Sequence, residues 1–478
     1  MQNNNTMGGL LVFLGSGRAA ALALALVAMS LAGSGSAAAQ TADPEFQTSD
    51  DLRRVPVPVG FAEPGGAVLL RNARLFDGTG AAARPAAILI EGSRITWIAN
   101  SEQDIQLPEG IEIIDVGGRT VMPGLIDLHT HLTYLERPGL PGPTSEQSQA
   151  GAALRSVERL RYYVESGITS VRDVGSHGMA PFLLKLEVYL GRIPGPRVFA
   201  AGQIIVGTGG HGTESFTFRT APAYPDAQII VADGADAWRA AVRLQFQRGA
   251  DLIKLASHFS PEEVAAAVDE AHRLGLRVTV DSEGVYTDMA VQAGVDCVEH
   301  PLPRSDETIR HMAKAGICSV ATLVPYQYIS AAGGYFYSTS RRFAITNETI
   351  FEMASRLRAA GVTLGVGTDL TYGQHRMLPE PYIQELRNFV TLGYSSAEAL
   401  VAATGTNSEI LGMSDRLGTL VVGKLADLIV VNGRPDEDLE DLRNIDIVIV
   451  NGRVIVRDGH VFTPRHIEER APFSTGPQ

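Results

Sequence analysis

Short apolar runs alternate with longer amphipathic segments through the middle of this 478-residue chain. Such alternation is typical of parallel β/α units, in which each buried strand is followed by a helix that covers the sheet. The pattern predicts eight strands, at residues 124–129, 168–173, 197–203, 251–256, 276–281, 295–300, 317–323 and 362–369. Eight consecutive units of this kind predict an α/β fold, a (β/α)8 TIM barrel.

The segment after the fourth predicted strand has the clearest helix boundaries. Ser260 fits an N-cap, Pro261 the first helical position and Glu263 the third residue of a capping box, while Gly275 ends the helix. An open doubly wound sheet is the alternative fold, but the first predicted strand is not followed by the glycine-rich dinucleotide turn that it needs. We also predict two long loops, 204–226 and 324–347, at the carboxyl ends of the third and seventh strands.

Both flanks of the barrel region show shorter alternating runs punctuated by glycine and aspartate, which indicates an all-β structure. We expect these two flanks to meet in one small β-sandwich. The predicted organisation is a signal peptide (1–39), a polar segment (40–65), the first part of the sandwich (66–122), the barrel (123–413), the second part of the sandwich (414–465) and a tail (466–478).

The first 39 residues have the composition of a secretory signal. Arg18 precedes an apolar stretch of about 13 residues, and the small residues Ala37, Ala38 and Ala39 follow as a cleavage site. The stretch is shorter than the roughly 20 residues that a membrane span needs, so an uncleaved anchor is the less favoured alternative. We expect a periplasmic or secreted protein with no membrane span after signal cleavage.

Composition and charge narrow the classes of partner. The chain is 45% hydrophobic and 19% charged, which suits a soluble globular protein, and its net charge of -13 without a basic run argues against nucleic acid. The two cysteines, Cys297 and Cys318, fall on neighbouring predicted strands. Export permits a disulfide, but a bridge between adjacent parallel strands is geometrically demanding, so we favour two buried thiols.

Ionisable residues stand at the carboxyl ends of several predicted strands. His129 and His131 are two apart, so their imidazoles point to the same face, and neutral imidazole is a common ligand for zinc and similar metals. Because barrel interiors are normally filled by apolar side chains, several charged groups there indicate that they bind one another or a metal. Unrelated surface residues at loop starts are the alternative. The other ionisable residues at the carboxyl ends of predicted strands are Lys254, Asp281, His300 and Asp369.

Five motifs carry a resemblance to a known family. They are VMPGLIDLHTH (121–131), DLIK (251–254), AGVDCVEH (293–300), GVGTD (365–369) and LGTLVVGKLAD (417–427). On these motifs the chain resembles the metal-dependent amidohydrolase superfamily, in its imidazolonepropionase-like and Xaa-Pro dipeptidase-like branch. The resemblance extends over nearly all of residues 66–460.

The resemblance implies one or two divalent metal ions, with zinc favoured. His129, His131 and Asp369 would hold the buried metal, and Lys254 would be an N6-carboxylysine that bridges both metals. The second metal would take the carbamate, His300 and a strand-five residue, where the family has histidine and this chain has Asp281. Three outcomes stay open: a binuclear site with Asp281 as ligand, a site with only the buried metal, or an impaired centre. Glu283 and His258 are further candidates near this position.

The implied reaction is hydrolysis of a carbon–nitrogen bond by metal-activated hydroxide. Asp369 would accept the proton of the attacking water and deliver it to the leaving nitrogen. His211, in a glycine-rich loop, and Tyr326, after the seventh strand, would bind the substrate carbonyl, carboxylate or oxyanion. The expected partner is a small amide, such as an N-acyl amino acid or a dipeptide; a homo-oligomer stays open. The alternatives are a cyclic-amide hydrolase or deaminase, and an impaired barrel used for binding.

Overall fold

The computed structural model of the chain describes residues 66–100, 105–134, 149–211, 228–331, 345–371 and 373–462. The predicted signal peptide, the polar segment that follows it and the tail after position 465 lie outside these ranges. Within the described ranges, none of the helices has the length and apolar character needed to cross a membrane.

Strands and helices are numbered here in chain order. The strands are β1 (Ala67–Leu75), β2 (Arg84–Glu91), β3 (Arg94–Ala99), β4 (Glu112–Asp115), β5 (Thr120–Pro123), β6 (Leu125–Thr130), β7 (Ile168–Asp173), β8 (Arg197–Ala200), β9 (Ile204–Val206), β10 (Ile229–Val231), β11 (Leu252–Ala256), β12 (Arg277–Asp281), β13 (Cys297–Glu299), β14 (Cys318–Val320), β15 (Leu364–Gly365), β16 (Leu428–Val431), β17 (Ile445–Val450), β18 (Arg453–Arg457) and β19 (His460–Val461). The α-helices are α1 (Gln149–Glu165), α2 (Ala180–Tyr189), α3 (Ala235–Arg248), α4 (Pro261–Arg273), α5 (Val285–Ala293), α6 (Asp306–Ala315), α7 (Leu323–Ala331), α8 (Asn347–Ala359), α9 (Glu380–Thr391), α10 (Ser396–Val401) and α11 (Asn407–Ile410).

Strands from both ends of the described chain join in one nine-stranded sheet. Its order is β19-β18-β17-β16-β5-β1-β2-β3, and β4 pairs with β1 off this path. The two flanks meet where β5 runs antiparallel to β16, with Val121 opposite Val430. Apolar residues from the strands of both flanks, including Leu75 and Ile449, pack together in one buried cluster. The predicted β-sandwich of the terminal segments is confirmed.

The barrel consists of eight parallel strands, β6, β7, β8, β11, β12, β13, β14 and β15. Its two groups of paired strands are joined at both seams by backbone hydrogen bonds. The Leu128 amide donates to the Val366 carbonyl (3.0 Å), and the Asp251 amide donates to the Ala200 carbonyl (2.9 Å). These bonds close the ring, and the predicted (β/α)8 barrel is confirmed.

Helix α4 begins where its sequence predicts. The Glu263 amide donates to the Ser260 hydroxyl (3.3 Å), and the Ser260 amide donates to the Glu263 carboxylate (2.7 Å). This reciprocal pair satisfies two amides that the first helical turn would otherwise leave unpaired. The buried residues Val264, Val268 and Ala271 recur at helical spacing, so one stripe of the helix covers the barrel.

Both predicted long loops begin as regular structure, so their starting positions were wrong. The segment after β8 continues as β9, whose Ile205 pairs with Leu255 of β11, because the apolar run there remains buried. The segment after β14 starts as α7, because the carboxylate of Glu385 accepts hydrogen bonds from the first two amides of that helix. Residues 212–227 and 332–344 lie outside the described ranges.

The expectation of two buried thiols was wrong. Cys297 and Cys318 are directly opposite each other in β13 and β14 and form a disulfide. Their Cα atoms are 4.5 Å apart, which is within the usual range for a bridge, so the parallel register itself brings the two sulfurs together.

Candidate metal and catalytic site

Three ligand-type side chains converge at the carboxyl end of the barrel. His129 and His131 lie at the end of β6, and Asp369 follows β15, which is paired with β6 around the barrel seam. Asp369 Oδ1 is 3.2 Å from His131 Nε2 and 3.5 Å from His129 Nε2. The three ligand atoms lie within 4.8 Å of one another, a spacing that suits one metal ion.

The other ring nitrogen of each histidine is already engaged. His129 Nδ1 donates to Glu299 Oε2 (2.7 Å), and His131 Nδ1 donates to the Gly175 carbonyl (2.9 Å). These bonds fix the tautomer in which Nε2 carries the lone pair, as is usual for metal-binding histidines. The His129 Nε2 atom is fully buried and has no hydrogen-bond partner among the residues that the structure describes. Burial lowers the pKa of His129 to about 3, which keeps the imidazole neutral. The donor set therefore fits a divalent cation.

Glu299 is the buried anion beneath the two histidines. Besides His129, it accepts hydrogen bonds from Arg172 Nη2 (2.5 Å) and from the Thr279 hydroxyl. Burial alone would raise the pKa of the Glu299 carboxyl, but Arg172 and His129 hold that pKa well below its ordinary value. An ionised Glu299 makes His129 a more basic ligand, because it stabilises the proton on Nδ1.

Asp127 connects the two strands that carry the ligands. Its carboxylate accepts hydrogen bonds from the His129 amide (3.1 Å), the Thr368 amide (3.0 Å) and the Thr368 hydroxyl (2.5 Å). Burial raises the pKa of Asp127 to about 7 despite these donors. The Asp369 amide in turn donates to the His129 carbonyl (2.6 Å), so the first and last barrel strands are held in register at the site.

Lys254, Asp281 and His300 lie beside this group. His300 Nε2 is 3.2 Å from Asp281 Oδ2, and the His129 and His300 ring centres are 4.7 Å apart. Lys254 is buried with 1% exposure, and desolvation lowers the pKa of its amine. Burial would raise the pKa of Asp281, but His300 and His211 hold it well below the ordinary value.

The strand tip that carries His300 is held by two neighbours. His300 Nδ1 is hydrogen-bonded to the Thr322 hydroxyl at 2.7 Å. Arg304 Nη2 donates to the His300 carbonyl (2.5 Å), and desolvation lowers the pKa of this buried guanidinium to about 10. With Nδ1 engaged by Thr322, the remaining nitrogen of His300 faces Asp281 and the centre of the site.

The two proposed substrate-binding residues also reach this end of the barrel. His211 Nε2 is 3.5 Å from Asp281 Oδ2, and the His211 amide donates to the Ser257 carbonyl (2.5 Å). Gly210 makes this possible, because a Cβ there would lie 2.5 Å from the His258 amide nitrogen. The ring of Tyr326, on α7, is 5.3 Å from the His300 ring.

The structure thus brings together every site residue that was predicted from the positions of the barrel strands. The roles of these residues remain predictions. The Ser257 hydroxyl donates to the Glu283 carboxylate (3.1 Å), and the His258 ring lies against the Tyr286 ring. Four residues of the site were missed by the sequence reasoning: Asp127, Arg172, Glu299 and Arg304. For Asp127 and Glu299 the sequence signal was an acidic residue inside an apolar strand, in the motifs LIDLHTH and VEH; neither motif contains Arg172 or Arg304.

Comparisons with known proteins agree with this geometry. The model of the Amidohydrolase family matches residues 120–455. An ochratoxinase from Aspergillus niger is 27% identical over 431 residues, which cover 82% of this chain and 86% of that protein. An imidazolonepropionase from Symbiobacterium thermophilum is 27% identical over 427 residues, covering 82% and 93%. The crystal structure of a prolidase complexed with N-methylphosphonate-L-proline superimposes with a TM-score of 0.70, 28% identity, and coverage of 82% and 100%. The resemblance inferred from the sequence motifs is confirmed.

Proposed function

Because the chain belongs to the amidohydrolase family, and is therefore a hydrolase of carbon–nitrogen bonds, we propose that it is an exported metallohydrolase of small amides. The proposed substrates are N-acyl amino acids and dipeptides. The observation that carries this proposal is the group of His129, His131 and Asp369, whose ligand atoms converge on the buried Nε2 atom of His129.

His129, His131 and Asp369 would hold one divalent cation, and nitrogen and oxygen donors of this kind suit zinc. Lys254, carboxylated on its amine, would join Asp281 and His300 as donors to a second cation. Desolvation supports this role, because the depressed pKa of Lys254 favours the neutral amine that adds CO2. When bound, such cations supply hydroxide at neutral pH and polarise a carbonyl group.

Asp369 is the proposed proton carrier of the reaction. Its side chain is 18% exposed, so it can contact both the metal ligands and a substrate. His129 and His131 help to hold its pKa below the ordinary value, against the effect of burial, and the carboxylate is therefore ionised and able to accept a proton. It would return that proton to the leaving nitrogen, which departs as an amine.

His211, beside Asp281, and Tyr326, beside His300, would orient the substrate. The Tyr326 hydroxyl is a donor for the oxygen that becomes negatively charged when the carbonyl is attacked. The backbone of His211 is held by its amide hydrogen bond to the Ser257 carbonyl, and its side chain is 31% exposed, so the side chain can meet the polar end of a substrate.

The proposed substrates are inferred from similarity to proteins of the same family. The similar prolidase structure holds a proline derivative, and the similar ochratoxinase and imidazolonepropionase are the other relatives that guide the choice. The proposed export rests on the signal-like composition of residues 1–39. Cleavage near residue 39 in a secreted or periplasmic fraction, read by N-terminal sequencing, tests that part.

The decisive experiment combines a metal count with a substrate panel. Purified protein should contain one or two divalent ions per chain and release amino acids from N-acyl amino acids or dipeptides. Asp369→Asn should lower turnover by about 100- to 10,000-fold, the usual contribution of general acid–base catalysis. Asp115→Asn, an exposed carboxylate of the terminal sheet, is the control.

Near-normal turnover in Asp369→Asn would remove its proton role. Metal-free protein that is fully active would overturn the proposal. Ring opening of cyclic amides or release of ammonia, without cleavage of linear amides, would assign the same centre to the other hydrolase classes.

A further inference from the structure

A cavity of about 290 Å3 lies at the end of the barrel opposite the metal ligands. Its walls come from α2, from the segment that enters β8, from the end of α3 and from the hairpin of β17 and β18. Arg197, which lines it, is the first residue of β8, whereas the metal ligands follow the carboxyl ends of the strands. A ligand there would not contact the proposed catalytic residues.

The body of this cavity is apolar. Phe182, Ile193, Val198, Val454 and Ile455 are among the side chains that line it. Concave, mainly apolar sites with a few convergent polar groups are typical of small-molecule binding. The volume of about 290 Å3 is just below the range of about 300–1,000 Å3 for such sites, so a small ligand is indicated.

The charged groups on the cavity wall are all cationic. The described residues that line it include Lys185, Arg197, Arg248 and Arg453, and no Asp or Glu is among these described residues. Lys185 is neutralised by Asp251 at 2.5 Å, and Arg197 is neutralised by the Asp427 carboxylate at 3.2 Å.

Arg453 differs from Lys185 and Arg197, because it forms no ion pair with a carboxylate in the part of the chain that the structure describes. Its guanidinium lies against Gly191, where a Cβ would come within 2.1 Å of Nη1, so the charge is placed at the cavity wall. Arg248 donates a hydrogen bond to the side-chain amide oxygen of Gln203. An apolar cavity with an arginine at its wall that has no carboxylate partner among the described residues is complementary to an anion with an apolar body.

We propose that this cavity binds a small amphipathic organic anion, with its apolar body against Phe182 and Ile455 and its anionic head on Arg453. Medium-chain carboxylates and aryl sulfonates share this chemistry. The site is independent of the hydrolytic centre, so the inference does not rest on the proposed substrate.

The test uses octanoate as the anionic probe and 1-octanol as its uncharged analogue, with binding to the full-length metal-loaded protein measured by calorimetry. We expect octanoate to bind at one site per chain. Arg453→Gln should weaken octanoate binding by roughly tenfold or more, the effect of losing one charge-assisted hydrogen bond, and should leave octanol binding unchanged. Val454→Phe, which fills the apolar part, should weaken both probes.

Arg161→Gln is the matched control, because Arg161 is an exposed arginine of α1 outside the cavity, and it should change neither affinity. Octanoate binding that is equal in wild type and Arg453→Gln would overturn the proposal, since the carboxylate would then sit elsewhere, for example on the metal. Octanoate binding that requires deletion of residues 463–478 would also overturn the proposal. The natural occupant of the cavity would then be the tail that follows Phe462 and not a small anion. If Val454→Phe lacks a cooperative thermal transition, Arg453→Gln alone decides.

Discussion

Glu299, the buried anion beneath the metal ligands, both accepts a hydrogen bond from His129 and balances the charge of Arg172. Replacing Glu299 by Gln separates these two contributions. Glutamine keeps the shape and one acceptor oxygen for His129 Nδ1, but it removes the negative charge. Arg172 is 3% exposed, and its remaining bond, from Nε to the Leu128 carbonyl, is to a neutral acceptor. The substitution therefore leaves a buried cation without its counter-charge.

The expected magnitudes follow from this geometry. Removing one partner of a buried ion pair costs about 3–5 kcal/mol, and we expect the lower end because the glutamine amide still accepts a hydrogen bond. Loss of the carboxylate behind a metal-binding histidine lowers metal affinity by about 10- to 100-fold. Urea unfolding of the metal-free protein measures the first effect, and competition with a chromophoric zinc chelator measures the second.

Asp427→Asn is a control of matched stability. Asp427 is also buried and also pairs with an arginine, Arg197, but it lies on the side of the barrel that faces the terminal sheet. We expect a similar loss in the free energy of unfolding and an unchanged zinc affinity. If both variants lost the same zinc affinity, general loosening of the fold would explain the effect, and the assigned role of Glu299 would be refuted.

Three further predictions concern single residues around the site. Asp281→His should retain or increase the number of metal ions per chain, measured by elemental analysis; a loss of metal would show that position 281 is not a ligand. Lys254→Ala should abolish turnover, and a short carboxylate such as acetate should restore part of it; a wild-type protein without a carbamate signal in 13C NMR would contradict the bridging role. Burial raises the pKa of Glu385 to about 7, so the folded state keeps a proton that the unfolded state releases near its ordinary value, and stability falls between roughly pH 4.5 and 7. Glu385→Gln should lack this loss, so its stability relative to wild type should be higher at pH 8 than at pH 5 in urea unfolding; an equal difference at both values would disprove the assignment.

The positions of the barrel strands could be predicted because they depend on the local pattern of apolar and polar residues. Apolar runs of suitable length mark the barrel strands, and the parallel arrangement places their carboxyl ends at one edge. His129, Lys254, Asp281 and His300 are therefore gathered by topology alone. The capping box of α4 is equally local, since its two partners are three residues apart.

The parts that were missed depend on contacts distant in sequence. The start of α7 is set by Glu385, which lies 62 residues beyond Leu323, and nothing near that helix predicts its partner. Asp127 and Glu299 have no recognisable sequence spacing to Thr368 and Arg172, because these contacts exist only once the barrel is closed. Sequence pattern thus indicates which residues reach the site, and the closed fold determines which of them orient the others.

The backbone at the site carries strain that supports this division of roles. Three residues at successive strand ends, His300 (φ 66°), Thr322 (φ 43°) and Asp369 (φ 50°), adopt the left-handed region. Such conformations cost about 1–3 kcal/mol each in residues other than glycine, and a β-branched threonine is especially disfavoured. Between neighbouring strands, the Val320 carbonyl accepts from the His300 amide (2.9 Å), and the His129 carbonyl accepts from the Asp369 amide. Because neighbouring strands impose these conformations, the directions of the ligand side chains are set by the closed barrel before any cation or substrate binds.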